Sequence, residues 1–378
     1  ERREPRPRDR PGVVTLTGMI AAAVLAAAAQ SVTSAGDSSS LALAASRYAL
    51  LAERGGWAAI PKDRLARGAE GQPVLRLRSR LAVEGYPIAA PDSGERFDPG
   101  LESLVRRFQE LHGLAADGVV GPATRSALDV PAAARLGQIR ANLARLRTGT
   151  PPPGGRYLVV NIPAFTLEVV DSGRVMFSLR VIVGRPDWPT PVLSAEAREI
   201  VFAPAWRIPR SIAVADVLPI LKERPEYLDR NGIRVFAGGP GGPPVDPSSV
   251  DWASVTARSF SYWFIQDPGP LNPLGAVKLV LETPEGVHLH DTPARSLFER
   301  RRRTFSHGCI RMEHPERLVG YLFPGWSPDS VAAAMASRKE TFVPLPAPIA
   351  VHLVYRTAWV EHDGMVAFRE DPYRLDRR

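Results

Sequence analysis

The spacing of apolar residues changes at a proline- and glycine-rich segment, Thr150-Pro151-Pro152-Pro153-Gly154-Gly155. Before it, apolar residues recur three and four positions apart, as between Leu101 and Leu111, which is typical of an amphipathic helix. After it, short runs such as Tyr157–Asn161 and Arg174–Val183 are typical of strands. We therefore predict a linker at 150–155 that separates a helical part from a strand-rich part.

The helical part contains a compact unit at 68–131. Asp98 is a plausible N-cap before Pro99, and Pro122–Leu128 predicts a short third helix. His112 is expected at a surface-exposed helix end. Residues 41–67 and 132–150 also show helical patterns, so we expect these two segments to form one scaffold that the compact unit interrupts.

The strand-rich part is predicted to be a domain at 156–330, joined by residues 331–378 as a C-terminal segment that packs on it. Residues 207–262 break the strand rhythm and are interpreted as an insertion over the sheet, because long insertions near a site often act as lids. The fold class predicted for the whole chain is α+β with several domains.

The N-terminus has the layout of an export signal. Five arginines lie within the first ten residues, and residues 11–36 carry no charge. We predict a signal peptide or an N-terminal membrane anchor at 1–36, with a buried alanine-rich helix as the alternative. The protein is accordingly expected to be exported, and to be anchored in the inner membrane if the segment is not cleaved.

The net charge of +8 would allow an acidic partner. The sequence shows neither zinc-finger spacing nor an aromatic-rich RNA-binding signature, so nucleic acid is not predicted as a partner. Most basic residues are scattered arginines. The run Arg300–Arg303 is the exception, and it could hold substrate carboxylates near the cysteine described next.

The single cysteine, Cys309, follows Ser306, His307 and Gly308. A thiol reacts as the thiolate, and a nearby imidazole is the usual means of forming it. A lone cysteine is otherwise a small buried apolar residue, which is the competing interpretation. The nearby histidines favour a nucleophile, and we expect the backbone amides of Gly308 and Cys309 to face a developing oxyanion.

His290 lies 19 residues before Cys309, so a strand end must present the histidine and a returning loop the cysteine. We expect only one of His288 and His290 to face the thiol, and choose His290, with His288 on the opposite strand face in a structural role. A zinc site at positions 290, 307 and 309 is a less favoured alternative. The chemistry predicted is acyl transfer through a thioester.

Two groups of motifs resemble known families. The first resembles the three-helix peptidoglycan-binding domain, and it comprises Val74…Leu77…Leu81…Gly85, Phe97-Asp98, Val105…Phe108-Gln109…Gly113-Leu114 and Asp117-Gly118-Val119-Val120-Gly121…Thr124. The second resembles the large, scaffold-bearing L,D-transpeptidases, and it includes Tyr157–Phe165, Arg180–Pro186 with Pro189-Thr190-Pro191, Pro209–Ile212, Pro268–Gly275, Leu289–Pro293 and Ser306–Arg311.

This second resemblance implies roles for individual residues. Cys309 would be the nucleophile and His290 the general base, with His307 and Gly308 completing the catalytic group. The substrate-binding residues implied are Arg311, Asp291, Ser306 and Trp206. The backbone carbonyl of Asp291 would orient the base, and Trp206 with the insertion would cap the substrate.

The implied reaction joins peptidoglycan stem peptides 3→3 in the periplasm or cell wall. No metal and no cofactor is implied, and carbapenem-type inhibitors are expected. An L,D-carboxypeptidase and a non-catalytic wall-binding protein stay open as alternatives. The chain departs from the family pattern at Ala203–Trp206, which lacks an expected asparagine, and at Gln266 and His352.

Overall fold

The computed structural model describes residues 34–62, 64–88, 94–148 and 155–377. The predicted signal or anchor at 1–36 and the linker at 150–155 lie almost wholly outside these ranges. Within them, no helix combines the length and the apolar character needed to cross a membrane.

Helices dominate the N-terminal part and recur in two later regions. They are α1 Ser34–Glu53, α2 Gln72–Val83, α3 Pro99–Leu111, α4 Pro122–Leu128, α5 Ala132–Thr148, α6 formed continuously by Arg210–Ile212, the π-helical Ala213–Val217 and Leu218–Glu223, α7 Tyr227–Arg230, α8 Pro315–Leu322 and α9 Pro328–Met335. Among the described residues, 3₁₀ turns cover Pro247–Ser249 and Arg295–Glu299.

All strands in the described part of the chain follow the linker. They are β1 Arg156–Asn161, β2 Thr166–Asp171, β3 Arg174–Gly184, β4 Leu193–Phe202, β5 Trp206–Ile208, β6 Ile233–Ala237, β7 Pro244–Val245, β8 Tyr262–Gln266, β9 Val277–Val280, β10 Leu289–His290, β11 Thr304–Ser306, β12 Ile310–Met312, β13 Thr341–Val354, β14 Ala358–Val360 and β15 Val366–Phe368.

The compact unit of α2, α3 and α4 is built around a small apolar core. The predicted cap is confirmed, since the Asp98 side chain accepts a hydrogen bond from the Leu101 amide at 2.7 Å and Pro99 begins α3. The apolar stripe of α3 places Leu101, Val105 and Phe108 against Leu77 of α2. The α3 residues in this core are the ones that the spacing of three and four positions predicts to share one apolar face.

Helices α1 and α5 pack together beside this unit, and a buried polar network joins the two layers. Arg80 and Glu84 form an ion pair with side-chain exposures of 1% and 2%. The hydroxyl of Tyr48 on α1 donates to Glu84 at 3.1 Å. A buried charge requires such partners, so the network fixes the three-helix unit against the scaffold helices.

The principal sheet has nine strands among the described residues, in the order β11-β3-β12-β10-β9-β4-β13-β1-β2. Strand β2 also pairs with β3, so the sheet closes on itself around a large apolar core. Strands β10 and β12 are parallel neighbours within it. This pairing positions the candidate active site.

The insertion has its own sheet and its own core. Strands β5, β8, β6 and β7 form that sheet in this order, with Trp252, Phe260 and Phe264 buried beneath it. Because β5 and β8 belong to this sheet, the folded insertion covers residues 206–266, slightly more than the predicted 207–262.

The prediction for residues 331–378 is wrong in one respect. Strand β13 does not pack on the strand-rich domain from outside but lies between β4 and β1, inside the principal sheet. Beyond it, Ala358, Val366 and Phe368 of the β14–β15 hairpin pack against Tyr48 and Ile139 of the scaffold helices. The C-terminal segment therefore completes the sheet and joins it to the helical part.

Candidate active site

Strands β10 and β12 bring the predicted histidine and cysteine together. His290 is paired with Arg311 in register, and the Ile310 amide donates to the His288 carbonyl at 2.9 Å. Cys309 immediately precedes β12, at the same edge as His290. A pocket of about 550 Å³ is lined by both residues together with His307, Arg311 and Trp206. We call it the Cys309 pocket.

The imidazole of His290 is buried and held through one ring nitrogen. Nδ1 lies 2.5 Å from the Asp291 carbonyl oxygen. A carbonyl can only accept, so Nδ1 carries the proton and Nε2 is left as the acceptor. Burial lowers the pKa of His290 to about 3, helped by the nearby Arg311 guanidinium. The ring is therefore a neutral base near pH 7.

The thiol of Cys309 is partly exposed and donates weakly to the Gly286 carbonyl at 3.9 Å. Desolvation raises the pKa of this thiol, while the His288 backbone and the charge of Lys278 act in the opposite direction. Within the described residues the sulfur makes no hydrogen bond to His290. The structure thus holds a neutral thiol that shares the pocket with the base without a hydrogen bond to it.

The loop before Cys309 is fixed by short-range hydrogen bonds. Gly308 has φ of 108°, a conformation that other residues adopt only with strain. Its carbonyl accepts from Thr190 Oγ1 at 2.7 Å. Ser306 Oγ donates to the Cys309 carbonyl at 2.5 Å and accepts from the Gly308 amide at 3.2 Å. These contacts fix the backbone that carries the thiol.

His307 is held from the insertion. Its Nε2 lies 2.6 Å from Asp216 Oδ2, on α6. The ring meets Trp188 edge-on, with centroids 4.9 Å apart. Desolvation lowers the pKa of His307, and the Asp216 carboxylate opposes that effect. Asp216 therefore links the insertion to the loop that carries Cys309.

Arg311 and Trp206 complete the walls of the pocket. The Arg311 guanidinium is largely buried, and its Nε has no hydrogen-bond partner among the described residues. Burial lowers the pKa of Arg311, with the Cys309 thiol acting against this. An unpaired buried donor of this kind is suited to an incoming carboxylate. Trp206 lines the pocket from β5 of the insertion.

Comparison with known proteins agrees with this geometry. The family model for the L,D-transpeptidase catalytic domain matches residues 155–328. The chain contains an L,D-transpeptidase catalytic domain. A second model, described as "Putative peptidoglycan binding domain", matches residues 70–128, the region of the three-helix unit. The predicted family resemblance and the α+β fold class are confirmed.

Individual relatives cover parts of the chain. A "Putative L,D-transpeptidase" of Haemophilus influenzae is 34% identical over 223 residues, which is 58% of this chain and 45% of that protein. The chain therefore spans less than half the length of this curated relative. A zinc D-Ala-D-Ala carboxypeptidase of Streptomyces albus G is 42% identical over 62 residues, 16% of this chain and 24% of that protein. The crystal structure of residues 123–326 of the Xylanimonas cellulosilytica L,D-transpeptidase covers 78% of this chain and 98% of its own, with 16% identity and a TM-score of 0.26.

The expectation for His288 needs correction within the L,D-transpeptidase domain. Residues two apart in a strand share a face, so His288 and His290 are not separated by strand alternation. The two rings differ in their contacts instead. His288 Nδ1 accepts from the Leu281 amide at 3.2 Å, whereas His290 lines the Cys309 pocket. His288 thus supports the neighbouring backbone.

The contacts of Gly308, Ser306 and Asp291 also differ from the catalytic or substrate-binding roles expected for them. The Gly308 amide donates to Ser306 Oγ, so only the Cys309 amide is available for an oxyanion. The Ser306 hydroxyl proton is engaged by the Cys309 carbonyl and does not point to substrate. The Asp291 carboxylate binds Arg295 and the Ala276 amide and is buried, so Asp291 acts through its backbone carbonyl.

Two further expectations concern residues outside the Cys309 pocket. The run Arg300–Arg303 does not line the Cys309 pocket but a separate cleft shared with His112 and Arg369. His112 does end α3, but its ring is buried and stacks on Phe108 with centroids 3.8 Å apart. Neither feature therefore contributes to the Cys309 pocket.

The zinc alternative finds no support in the geometry. In the described ranges, no three His, Cys, Asp or Glu side chains group closely enough to hold a metal ion. Residues 290, 307 and 309 line one pocket without forming such a cluster.

Sequence reasoning missed several residues of the site. Asp216, Trp188 and Glu285 line the Cys309 pocket, and Lys278 is the β9 partner of His290. Trp188 lies between two motif segments, Arg185-Pro186 and Pro189-Thr190-Pro191, so its position could have singled it out. Asp216 lies in the insertion without any motif, and no local pattern identifies it.

Proposed function

We propose that this protein is a cysteine-dependent L,D-transpeptidase that forms 3→3 cross-links between peptidoglycan stem peptides in the cell wall. The observation that carries the proposal is the shared pocket of Cys309 and His290, in which the Asp291 carbonyl leaves Nε2 of the base free. The match of residues 155–328 to the catalytic domain supports the same reaction class.

The first half-reaction would acylate Cys309. The sulfur attacks the carbonyl carbon of the third stem residue while Nε2 of His290 takes the thiol proton. The negative charge on the carbonyl oxygen is stabilised by the Cys309 amide. The C–N bond to the terminal D-Ala then breaks, and His290 returns the proton to the departing amine.

The second half-reaction would transfer the acyl group to an amine of another stem peptide. The walls of the pocket suit such substrates, because Arg311 offers a buried cation for a stem carboxylate and Trp206 an apolar surface above it. We further propose that the three-helix unit holds wall material near the pocket. β-Lactams of the carbapenem type would acylate the same cysteine, since they resemble the acyl donor.

Product analysis with purified tetrapeptide stems tests the proposal. We expect mass spectrometry to show a cross-linked dimer and released D-Ala with the wild-type protein, and neither with Cys309→Ala. A matched variant, Ser337→Ala, removes a hydroxyl outside the pocket and should leave the yield unchanged.

Other outcomes would point elsewhere. A trimmed tripeptide without dimer would mean that water is the acceptor, which is the activity of an L,D-carboxypeptidase. Binding to intact wall without any acylation of Cys309 would favour a wall-binding protein. Dimer formation by Cys309→Ala would overturn the assignment of the nucleophile.

A further inference from the structure

Two histidines at the Cys309 pocket meet a polar neighbour through opposite ring nitrogens. His290 is held at Nδ1 by the Asp291 carbonyl, 2.5 Å away. His307 faces the Asp216 carboxylate with Nε2 at an N–O distance of 2.6 Å, a charge contact that is not aligned as a hydrogen bond. Both rings line the same pocket as the thiol. The active site therefore presents two imidazoles that meet their polar neighbours through opposite ring nitrogens.

The tautomer of His307 follows from its partner. An ionised carboxylate can only accept a proton's contact, so its charge beside Nε2 favours the neutral tautomer that carries the proton on that nitrogen. Nδ1 is then the basic nitrogen, and it has no hydrogen bond to any residue that the structure describes. A carboxylate that orients an imidazole also stabilises the imidazolium formed when the ring takes a second proton.

We propose that the Asp216–His307 pair is the base for the acceptor amine in the second half-reaction, while His290 serves the first. His307 would be the catalytic residue and Asp216 its positioning residue. The inference rests on the proposed transpeptidase function and deepens it, since it assigns a separate pair of residues to the activation of the acceptor.

The chemistry of the second half-reaction requires such a base. A side-chain amine has an ordinary pKa near 10.4 and is mostly protonated at neutral pH, so it loses one proton to solvent before it attacks. The amine nitrogen forms a bond to the thioester carbonyl carbon, and His307 Nδ1 takes the proton that this nitrogen can no longer hold. The C–S bond breaks, and the sulfur regains a proton from solvent while His307 releases its own.

In this scheme hydrolysis does not depend on the Asp216–His307 pair. Water can enter the open pocket and be activated by His290, whose Nε2 is free once D-Ala has left. The Asp216–His307 pair would therefore set the ratio of cross-linking to hydrolysis. Because Asp216 comes from α6, the pair exists only when the insertion lies over the pocket, which couples acceptor use to the position of the insertion.

The surroundings of Asp216 supply a matched control. Arg185 lies 3.9 Å from Asp216 and 3.1 Å from Asp187. Asp187 has a side-chain exposure of 66% and is absent from the pocket lining. Asp187→Asn removes a carboxylate from the same arginine without touching His307. Asp216→Asn keeps the shape of the side chain but removes the charge opposite the ring.

The experiment measures acylation and transfer separately. Full-length wild-type protein, Asp216→Asn, Asp216→Glu and Asp187→Asn are first acylated with a carbapenem and followed by intact mass. Each is then given tetrapeptide donor with an amine-bearing stem acceptor, and dimer and tripeptide are quantified. A general base contributes about 10²–10⁴-fold, so we expect Asp216→Asn to lower dimer formation by about 10-fold or more.

The expected pattern distinguishes catalysis from structure. Asp216→Asn should lower dimer formation far more than it lowers acylation, tripeptide should replace dimer, and Asp216→Glu should restore part of the dimer. Equal loss of acylation and transfer in Asp216→Asn would show a purely structural contact and overturn the inference. An unchanged product ratio would also overturn it. A wild-type protein that forms neither acyl-enzyme nor product would instead contradict the proposed function.

Discussion

The base His290 is positioned by the peptide bond of the residue that follows it, because Nδ1 lies 2.5 Å from the Asp291 carbonyl oxygen. Asp291 is in turn fixed by its own side chain, which accepts from the Ala276 amide at 2.8 Å and binds Arg295. The orientation of the imidazole therefore depends on a chain of contacts that leads out of the pocket to the turn before β9.

Gly275→Ala tests this chain of contacts. Gly275 has φ of +62°, and an added methyl group would meet the Asp291 carboxylate directly. We expect a loss of about 1–3 kcal/mol in the free energy of unfolding from the strained backbone. A small displacement of the base lowers a rate strongly, so carbapenem acylation should fall by about 10-fold or more.

Gly320→Ala is the matched control, because Gly320 lies in α8 with nothing within 4 Å of an added Cβ. Its unfolding and acylation should match the wild type or show slightly higher stability. Equal acylation rates for both variants would contradict the proposed support of His290 through Asp291.

Replacing the base should affect the first half-reaction. We expect His290→Asn to lower the rate of Cys309 acylation by about 10²–10⁴-fold, as for the loss of a general base. His288→Asn removes a ring that accepts from the Leu281 amide, and should cost less than 10-fold in rate. Stopped-flow or mass measurement of carbapenem adducts gives both values. A larger loss of acylation rate in His288→Asn than in His290→Asn would assign the base to His288 instead.

The pH dependence of acylation follows from the thiol and the base. Desolvation raises the pKa of Cys309 above its ordinary 9.0, so the thiolate fraction keeps growing through the alkaline range. The pKa of His290 is lowered to about 3, so the base stays neutral well below 6.5. Both groups keep the forms that the proposed proton transfer needs from below pH 6.5 to neutral pH, so we expect a level acylation rate there, without an acidic limb near 6.5. The rate should then rise at alkaline pH as thiolate forms. A rate plateau beginning near pH 7 would indicate a thiolate–imidazolium pair instead.

Acid should destabilise the fold through the same buried histidines. The pKa values of His290 and His288 are lowered from 6.5 to about 3 and about 4, because burial disfavours the charged rings. Between these values and 6.5 the unfolded chain binds more protons than the folded one, so the free energy of unfolding falls as pH falls. Urea denaturation at several pH values measures this slope. His290→Asn should flatten it, and an unchanged slope would contradict the neutral buried ring.

The ion pair between Arg80 and Glu84 should be important for the stability of the helical part. Glu84→Ala leaves the Arg80 charge buried without its partner, which costs about 3–5 kcal/mol. Glu102→Ala breaks a comparable i,i+4 pair with Arg106 whose side-chain exposures are 22% and 44%, and should cost about 1 kcal/mol or less. Thermal unfolding of both variants measures the difference. A loss of only about 1 kcal/mol in Glu84→Ala, as in Glu102→Ala, would show that the Arg80–Glu84 pair is effectively solvated.

Much of the helical part could be predicted from local signals. The apolar spacing within α3, the cap at Asp98 and the proline at the start of α4 act within a few residues, and the structure has each of them. Cys309 and His290 were found for a related reason, because each lies in a compact motif. Strand alternation was applied wrongly to His288, since positions two apart share a face.

Features that depend on contacts between distant parts of the chain were harder to predict from the sequence. Strand β13 contains Pro344, Pro346 and Pro348, which argue against a central strand. The structure accommodates them where the pairing with β4 shifts register, between Pro344 and Ile349. Asp216 reaches His307 only because the insertion folds back over the sheet. No periodicity in the sequence encodes such a contact.

The central claim is that Cys309 carries the stem peptide as a thioester. Intact mass spectrometry of the wild-type protein, quenched in acid soon after mixing with a tetrapeptide stem, tests it most directly because the chain has a single cysteine. The account predicts a mass increase equal to the acyl tripeptide, located at Cys309 by peptide mapping and absent from Cys309→Ala. An adduct at another residue, or cross-linked product from a protein that never carries the adduct, would contradict it.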